Sequence, residues 1–203
     1  MHVSIKSSDY SRVRCQTIPG QFHRITCIRF RCRKRDDGRV VKKYGVSRLI
    51  GVDIIPEAYE ATVRDRPGLY DAYYVEDFTI LDEEKKEDIA SWQCDCMVTV
   101  AALGFGDIPT NAFIEAFNII STQGWVAFNI KETFFHKSDK TGFSSMIREL
   151  IFSEFIHVYH IERYRHRLSI EGEPLYYYAI AGRKNADVPQ EFLESSGIIP
   201  AMQ

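Results

Sequence analysis

From Val40 onward, stretches with helical periodicity alternate with short runs that are rich in β-branched or aromatic residues. The runs that predict strands lie at 48–53, 72–75, 95–102 and 125–130, and the stretches that predict helices lie at 39–44, 56–64, 111–121 and 144–155. A polar stretch at 82–91 predicts either a surface helix or a loop. This alternation is typical of parallel strands joined by crossover helices, so the predicted fold class is α/β.

The last part of the chain breaks this alternation. Two long runs, 157–167 and 175–182, are joined through the turn Glu171-Gly-Glu-Pro174, which is too short to contain a crossover helix. The two runs must therefore pair antiparallel. From about Val40 to Lys184 the chain thus resembles the Rossmann-like fold of class I S-adenosylmethionine-dependent methyltransferases. That resemblance implies a mostly parallel seven-stranded sheet with a C-terminal antiparallel hairpin and a first strand near 24–30, whereas a dinucleotide dehydrogenase would continue βαβ to its last strand.

Three stretches carry a closer resemblance: GVDIIPEAYE, PGLYDAYYVEDF and CDCMVTVAALGFGDIPTNAFIEAFNIISTQGWVAFNIKETF. Their Pro-Gly-Leu-Tyr, Ala-Ala-Leu-Gly and Ile-Pro-x-Asn segments look most like the methyltransferase-like family named after the Williams-Beuren syndrome critical region. The likeness covers roughly two thirds of the chain. It implies methyl transfer from S-adenosylmethionine to an acceptor, a small molecule or a protein, that the sequence does not identify.

Acidic residues stand at the predicted carboxyl ends of two strands, where a ligand lies in a sheet of this kind. The resemblance implies that Asp53, with Ile54 beside it, holds the ribose hydroxyls of the cofactor; the alternative is that Asp53 caps the helix beginning near Pro56. It also implies that Asp77 contacts the adenine amino group and Phe78 the adenine ring. The alternative for these two is a solvated acidic turn.

The fourth predicted strand and the loop after it are the expected substrate side of the site. The resemblance implies a structural role for Asp95, a cofactor contact for Ala101, and a substrate loop that contains Leu103, Phe105 and Asp107. Because Asp107 is the only titratable group in that loop, no general base can be named from the sequence. The catalytic residues stay unassigned.

The five cysteines form an odd set without a paired C-x-x-C spacing. Such a set predicts reduced thiols with a core role, and we expect no metal site.

The cofactor loop of this fold should read D-x-G-x-G-x-G between the first strand and the helix that follows it. Counting back from Gly38, which fits, the acid falls on Arg29 and the three glycines fall on Arg31, Arg33 and Arg35. Glycines let the backbone approach a ligand, whereas arginine side chains fill that space and bring positive charge toward a sulfonium. As written, the loop predicts weak binding of S-adenosylmethionine and allows a pseudoenzyme.

The charge of the chain is divided in the same place. Residues 1–48 contain 13 Lys/Arg against 3 Asp/Glu, a charge of +10, while residues 49–203 contain 13 against 25, a charge of −12. Read one base later, the codons of 29–38 can encode Asp-Phe-Gly-Ala-Gly-Ser-Gly-Thr-Thr-Gly, which contains the absent motif in register. We hypothesise that the chain up to about Gly38 comes from a shifted reading frame.

The alternative origin of the basic segment is a loop that binds nucleic-acid phosphates. Only Phe22 and Phe30 lie near it, which argues against a platform on which bases could stack. The chain is thus divided into an atypical basic segment (1–38), a methyltransferase-like domain (39–184) and a tail (185–203).

No apolar run reaches the 18 to 20 or so residues of a membrane span, and the N-terminus has neither a signal-peptide core nor a lipidation pattern. These features predict a cytoplasmic protein without a membrane partner, with the nucleus as the other compartment. The predicted function is that of an S-adenosylmethionine-dependent methyltransferase-like protein. A non-catalytic interaction protein of the same fold, and nucleic-acid binding through the basic segment, are the alternatives.

Overall fold

A computed structural model of the chain describes residues 25–30, 37–104, 108–136 and 138–196. Seven strands form one sheet: β1 (Thr26–Phe30), β2 (Arg48–Asp53), β3 (Ala72–Val75), β4 (Cys96–Leu103), β5 (Trp125–Lys131), β6 (Ile156–Leu168) and β7 (Pro174–Lys184). Within the described ranges, six helices accompany them: α1 (Asp37–Lys43), α2 (Pro56–Asp65), α3 (Glu83–Ser91), α4 (Thr110–Ile119), α5 (Phe143–Phe152) and α6 (Gln190–Ser195). A short 3₁₀ turn, Glu132–Phe135, follows β5.

The strand order across the sheet is β3-β2-β1-β4-β5-β7-β6. Neighbouring strands from β3 to β5 are parallel, and β7 is antiparallel to both β5 and β6. The predicted α/β class, the parallel sheet and the C-terminal antiparallel hairpin are therefore confirmed. The predicted first strand is also present and begins at Thr26, two residues after the predicted start, with Arg24 outside the described residues.

The polar stretch at 82–91 forms helix α3. The Asp82 side chain caps the start of this helix by accepting a hydrogen bond from the Lys85 N–H at 2.8 Å. Helix α4 buries the apolar face that its periodicity predicts, including Phe113, Ala116 and Phe117. Helix α5 ends at Phe152, three residues before the predicted end. Among the described residues, no helix is long and apolar enough to cross a bilayer.

The main core lies on the side of the sheet that faces α3, α4 and α5. Most of its large buried side chains come from β1, β2, β4 and β5 and from those helices, and Phe78 adds a ring from the turn after β3. A smaller cluster around Tyr164, Tyr177 and Ala179, with Ala101 packed against it, lies apart from that core. Asp95 has the structural role that was predicted for it, since its Oδ2 accepts the Thr26 N–H at 2.8 Å where β1 begins.

Candidate functional site

A cleft opens at the edge of the sheet where the parallel strands β1, β2 and β3 end. Its empty volume is about 360 Å³, part of it open to solvent. Its walls are formed by Phe30, Val52, Asp53, Ile54, Glu76, Asp77, Phe78, Ile108, Pro109 and Ala112. The cleft therefore combines apolar walls with acidic groups at the carboxyl ends of strands, which is where a ligand of an open α/β sheet lies.

Asp53 is the last residue of β2 and is only 3% exposed. Its Oδ1 accepts a hydrogen bond from the Ile55 N–H at 3.2 Å, which fixes the turn into α2. Helix α2 begins at Pro56, and the residue in the capping position is Ile55, which gives no side-chain cap. The alternative role of Asp53 as the helix-capping residue is therefore wrong. Ile54 is 53% exposed and forms part of the cleft wall.

Asp77 and Phe78 follow β3 on the other side of the cleft. Asp77 Oδ1 accepts two hydrogen bonds from Thr79, one from its N–H at 2.8 Å and one from its hydroxyl at 2.7 Å. These bonds hold the turn after β3. Phe78 is buried and packs edge-on against Phe30 with 4.9 Å between ring centroids. The structure therefore brings Asp53, Ile54, Asp77 and Phe78 together around one cleft.

Three other residues that the sequence assigned to the site, Gly38, Ala101 and Leu103, do not line this cleft. A Cβ on Gly38 would lie 2.9 Å from Leu69 Cδ2, so α1 packs closely on that leucine. Leu103 is buried in the main core. Ala101 lies outside the cleft walls and packs on the smaller cluster. Phe105 and Asp107 lie outside the described residues.

Arg29 was expected to occupy the position of the acid in the cofactor loop. It lies in β1, paired with Gly51 of β2, and is 3% exposed. Its Nη1 donates to the Tyr70 hydroxyl at 2.8 Å, and Arg29 does not line the cleft. Of the four arginines, this one therefore leaves the cleft open. Arg31, Arg33 and Arg35 lie outside the described residues.

Among the described cysteines, Cys27 and Cys94 are buried, Cys96 is half-buried, and the pKa values of Cys94 and Cys96 are raised. Burial raises the pKa of Cys94 to about 12. The hydrogen bond with Cys27 and burial raise the pKa of Cys96 well above its ordinary value. A thiol with a raised pKa is a poor nucleophile and a poor metal ligand. Within the described ranges, no group of three His, Cys, Asp or Glu residues is placed to hold a metal ion.

Sequence reasoning missed a chain of polar side chains near the ends of β4, β5 and β6. The Ala101 N–H donates to Asn129 Oδ1 at 2.5 Å, and Asn129 Nδ2 donates to the Tyr164 hydroxyl at 2.6 Å. That hydroxyl lies 3.2 Å from His166 Nδ1. The one signal in the sequence is an asparagine within the otherwise apolar run 125–130, which does not identify its partners.

Neither a family model nor a curated protein matches this chain. Solved methyltransferase structures do match it. NodS, an N-methyltransferase from Bradyrhizobium japonicum WM9, is 13% identical, with a TM-score of 0.55 over 79% of this chain and 86% of that one. NodS in complex with S-adenosyl-L-homocysteine is 11% identical, with a TM-score of 0.53 over 79% of this chain and 78% of that one.

A Methanosarcina mazei protein whose structure is described as a SAM-dependent methyltransferase is 13% identical, with a TM-score of 0.56 over 81% of this chain and 94% of that one. At sequence identities of 11% to 13%, structural similarity establishes the fold alone. The chain has the class I methyltransferase fold over about four fifths of its length.

Proposed function

We propose that this chain is an S-adenosylmethionine-dependent methyltransferase-like protein whose cleft holds the adenosine half of the cofactor. The observation that carries the proposal is the position of the Asp53 carboxylate, which lies at the end of β2 on the wall of an otherwise largely apolar cleft. The motifs quoted above resemble the Williams-Beuren syndrome critical region family over roughly two thirds of the chain, and this resemblance supports the same function.

The groups in the cleft suit an adenosine. A carboxylate only accepts hydrogen bonds, so Asp53 is suited to two ribose hydroxyls, and Asp77 has its Oδ2 left to accept from the adenine amino group. Ile54, Phe78 and Pro109 offer apolar surface to the ring. The methionine half would fall to the segment between β1 and α1, outside the described residues.

S-adenosylmethionine, when bound, would supply a methyl group on a sulfonium: the acceptor's lone pair would bond to the methyl carbon in line, and the C–S electron pair would leave with the sulfur of S-adenosylhomocysteine. For such a reaction the protein contributes mainly positioning: it holds donor and acceptor at contact distance and excludes water. We propose a small molecule or a protein as the acceptor and the cytoplasm as the compartment.

The second candidate is a non-catalytic interaction protein with the same fold. The arginines at 31, 33 and 35 favour it, because they stand where the fold needs close approach of the backbone to the cofactor. Cofactor binding separates the two candidates.

Titration with S-adenosylhomocysteine, followed by backbone amide NMR up to millimolar ligand, tests the proposed site. We expect the amides of Asp77, Phe78 and Ala112 to shift. Asp53→Ala should lower the affinity at least tenfold, because two hydrogen bonds to a charged acceptor are lost at about 1.5 to 3 kcal/mol each before any rearrangement.

Asp65→Ala is the matched control, because Asp65 ends α2 on the surface and pairs with the neighbouring Arg64. It should bind as the wild type does. Amide shifts that are absent throughout the cleft, or an Asp53→Ala variant that binds as tightly as Asp65→Ala, would contradict the proposed function.

A further inference from the structure

Two of the described cysteines stand opposite each other where strands β1 and β4 pair. Cys27 is the second residue of β1, Cys96 is the first residue of β4, and the two are register partners. Because neighbouring strands lie about 4.8 Å apart, their Cα atoms are separated by about that distance. A disulfide joins Cα atoms that are roughly 4.4 to 6.8 Å apart. The backbone therefore already holds these two residues at a spacing that a disulfide requires.

Both side chains also lie on the same face of the sheet. The next register pair, Ile28 and Met97, belongs to the main core, and successive residues of a strand point to opposite faces. Cys27 and Cys96 therefore project together to the face away from that core, where their thiols are hydrogen-bonded to each other. Cys94 precedes β4 and is buried in the main core. Of the described cysteines, Cys27 and Cys96 are thus the pair placed to bond.

The two cysteines differ in exposure. Cys27 is fully buried, whereas Cys96 is half-buried. A small oxidant in the solvent therefore meets Cys96 first, and Cys27 is the neighbour that can complete a bond. The thiolate is the reactive form of cysteine, and the hydrogen bond with Cys27 and burial keep the pKa of Cys96 well above its ordinary value. The reaction at Cys96 is consequently slow at neutral pH and becomes faster as the pH rises.

We propose that Cys27 and Cys96 are a site of oxidation by hydrogen peroxide, at which a disulfide forms between β1 and β4. The Cys96 thiolate attacks one peroxide oxygen and the O–O bond breaks. Cys96 becomes a sulfenic acid, and the hydroxide that leaves takes up a proton. The Cys27 thiol then loses its proton, its sulfur bonds to the Cys96 sulfur, and the sulfenic oxygen leaves as water. Together the two thiols lose two electrons and two protons, and one peroxide becomes two waters.

The bond would join the two halves of the sheet. Strands β2 and β3 lie on one side of the junction between β1 and β4, and strands β5, β6 and β7 lie on the other. At this junction β1 pairs with β4 over residues 27–29 and 96–98. Phe30, which lines the cleft, lies three residues beyond Cys27 on β1. Oxidation would therefore fasten the junction beside the cleft, whatever ligand the cleft binds.

The test is oxidation of the folded, full-length chain with hydrogen peroxide at pH 7 and at pH 9. The remaining thiols are then alkylated in denaturant, and the tryptic peptides are analysed by mass spectrometry. We expect peptide 25–29 linked to peptide 87–131, lighter by two hydrogens than the two peptides together, with fragmentation placing the link between Cys27 and Cys96. The link should form roughly tenfold faster or more at pH 9, because the thiolate fraction rises with pH.

Cys94→Ala is the matched control, because Cys94 lies two residues from Cys96 in the same tryptic peptide but is buried in the main core. It should form the link as the wild type does, and Cys96→Ala should form none. In Cys27→Ala the sulfenic acid at Cys96 has no neighbour to bond with. It should accumulate there and be trapped by dimedone, a reagent for sulfenic acids.

The stability of the oxidised wild type provides a second measurement. Cys27 and Cys96 are 69 positions apart along the chain. A bond between them restricts the unfolded chain, so the urea midpoint of unfolding should rise by about 0.5 M or more. The same treatment should not raise the midpoint of Cys27→Ala.

Loss of the link in Cys94→Ala, or its persistence in Cys96→Ala, would overturn the proposal. So would a link from Cys96 to Cys15 or Cys32, or a Cys96 that stays a thiol in the folded chain under conditions that oxidise the denatured chain. A lower urea midpoint for the linked wild type would overturn it as well, because a bond that fits the register of β1 and β4 does not destabilise the fold. These outcomes leave the proposed function of the cleft standing, since the amide titration tests it separately.

Discussion

Replacing Arg29 by Asp and Arg31, Arg33 and Arg35 by Gly should raise the affinity for S-adenosylhomocysteine by at least tenfold, measured by calorimetry. The chain as it stands should give little heat at sub-millimolar ligand. The replaced loop restores the acid and the three positions at which backbone can approach the methionine half, and it removes four positive charges. The gain should be larger for S-adenosylmethionine, since the removed charges oppose its sulfonium.

The position of Arg29 in the structure calls for a second variant. Arg29 is buried and donates to Tyr70, whereas an aspartate carboxylate is shorter and only accepts hydrogen bonds. The triple variant that keeps Arg29 therefore separates the effect of the loop from damage to β1. Asp53→Ala in either background should remove most of the gained affinity. Tight binding by the unaltered chain, or no binding by either the quadruple or the triple variant, would refute our interpretation of residues 29–38.

Sequencing the transcript across codons 1 to 40 tests the frame hypothesis directly.

Lys184→Met should lower the free energy of unfolding by about 3 kcal/mol, measured by chemical denaturation. Lys184 ends β7, and its side chain is 1% exposed. Its ammonium donates to the Asn118 and Ile120 carbonyls at the end of α4 and pairs with Asp187. Methionine preserves most of the volume but leaves those helix-end carbonyls buried without their donor.

The loss of unfolding free energy caused by Lys184→Met should also depend on pH. Burial lowers the pKa of Lys184 below its ordinary value of 10.5, although Asp187 opposes the effect. Between the lowered pKa of the folded chain and the ordinary value, the unfolded chain therefore binds more protons than the folded chain. As the pH rises through this window, the free energy of unfolding of the wild type increases relative to that of the variant. Lys140→Met, at an exposed lysine, is the control and should change stability by less than about 0.5 kcal/mol. A deficit below about 1 kcal/mol for Lys184→Met would contradict the capping role.

Much of the fold could be predicted because its signals are local. Strand β3 was placed at the bounds that the structure shows, and the hairpin of β6 and β7 followed from the length of its turn. The ends of helices were less accurate. Helix α5 stops at Phe152 because Glu154, with φ of +58°, takes a left-handed conformation that apolar periodicity does not signal.

The sequence predicted which residues lie together at the cleft only for residues at the ends of predicted parallel strands, because that position along the chain places them at one edge of the sheet. Asp53 ends β2 and Asp77 follows β3, and the carboxyl ends of parallel strands meet at one edge of a sheet, so both residues line the same cleft. Gly38 and Ala101 were assigned through the resemblance alone. The structure shows them packed on Leu69 and on the smaller cluster.

The sequence by itself determined the α/β class, the antiparallel end and the acids of the cleft, because each depends on periodicity, turn length or order along the chain. Only the tertiary structure decided the burial of Arg29 against Tyr70 and the chain from Ala101 to His166. Asn129 and Tyr164 lie 35 residues apart and bond at 2.6 Å because their strands end at the same edge of the sheet. Contacts of this kind depend on strand order and register, which the local pattern of polar and apolar residues does not encode.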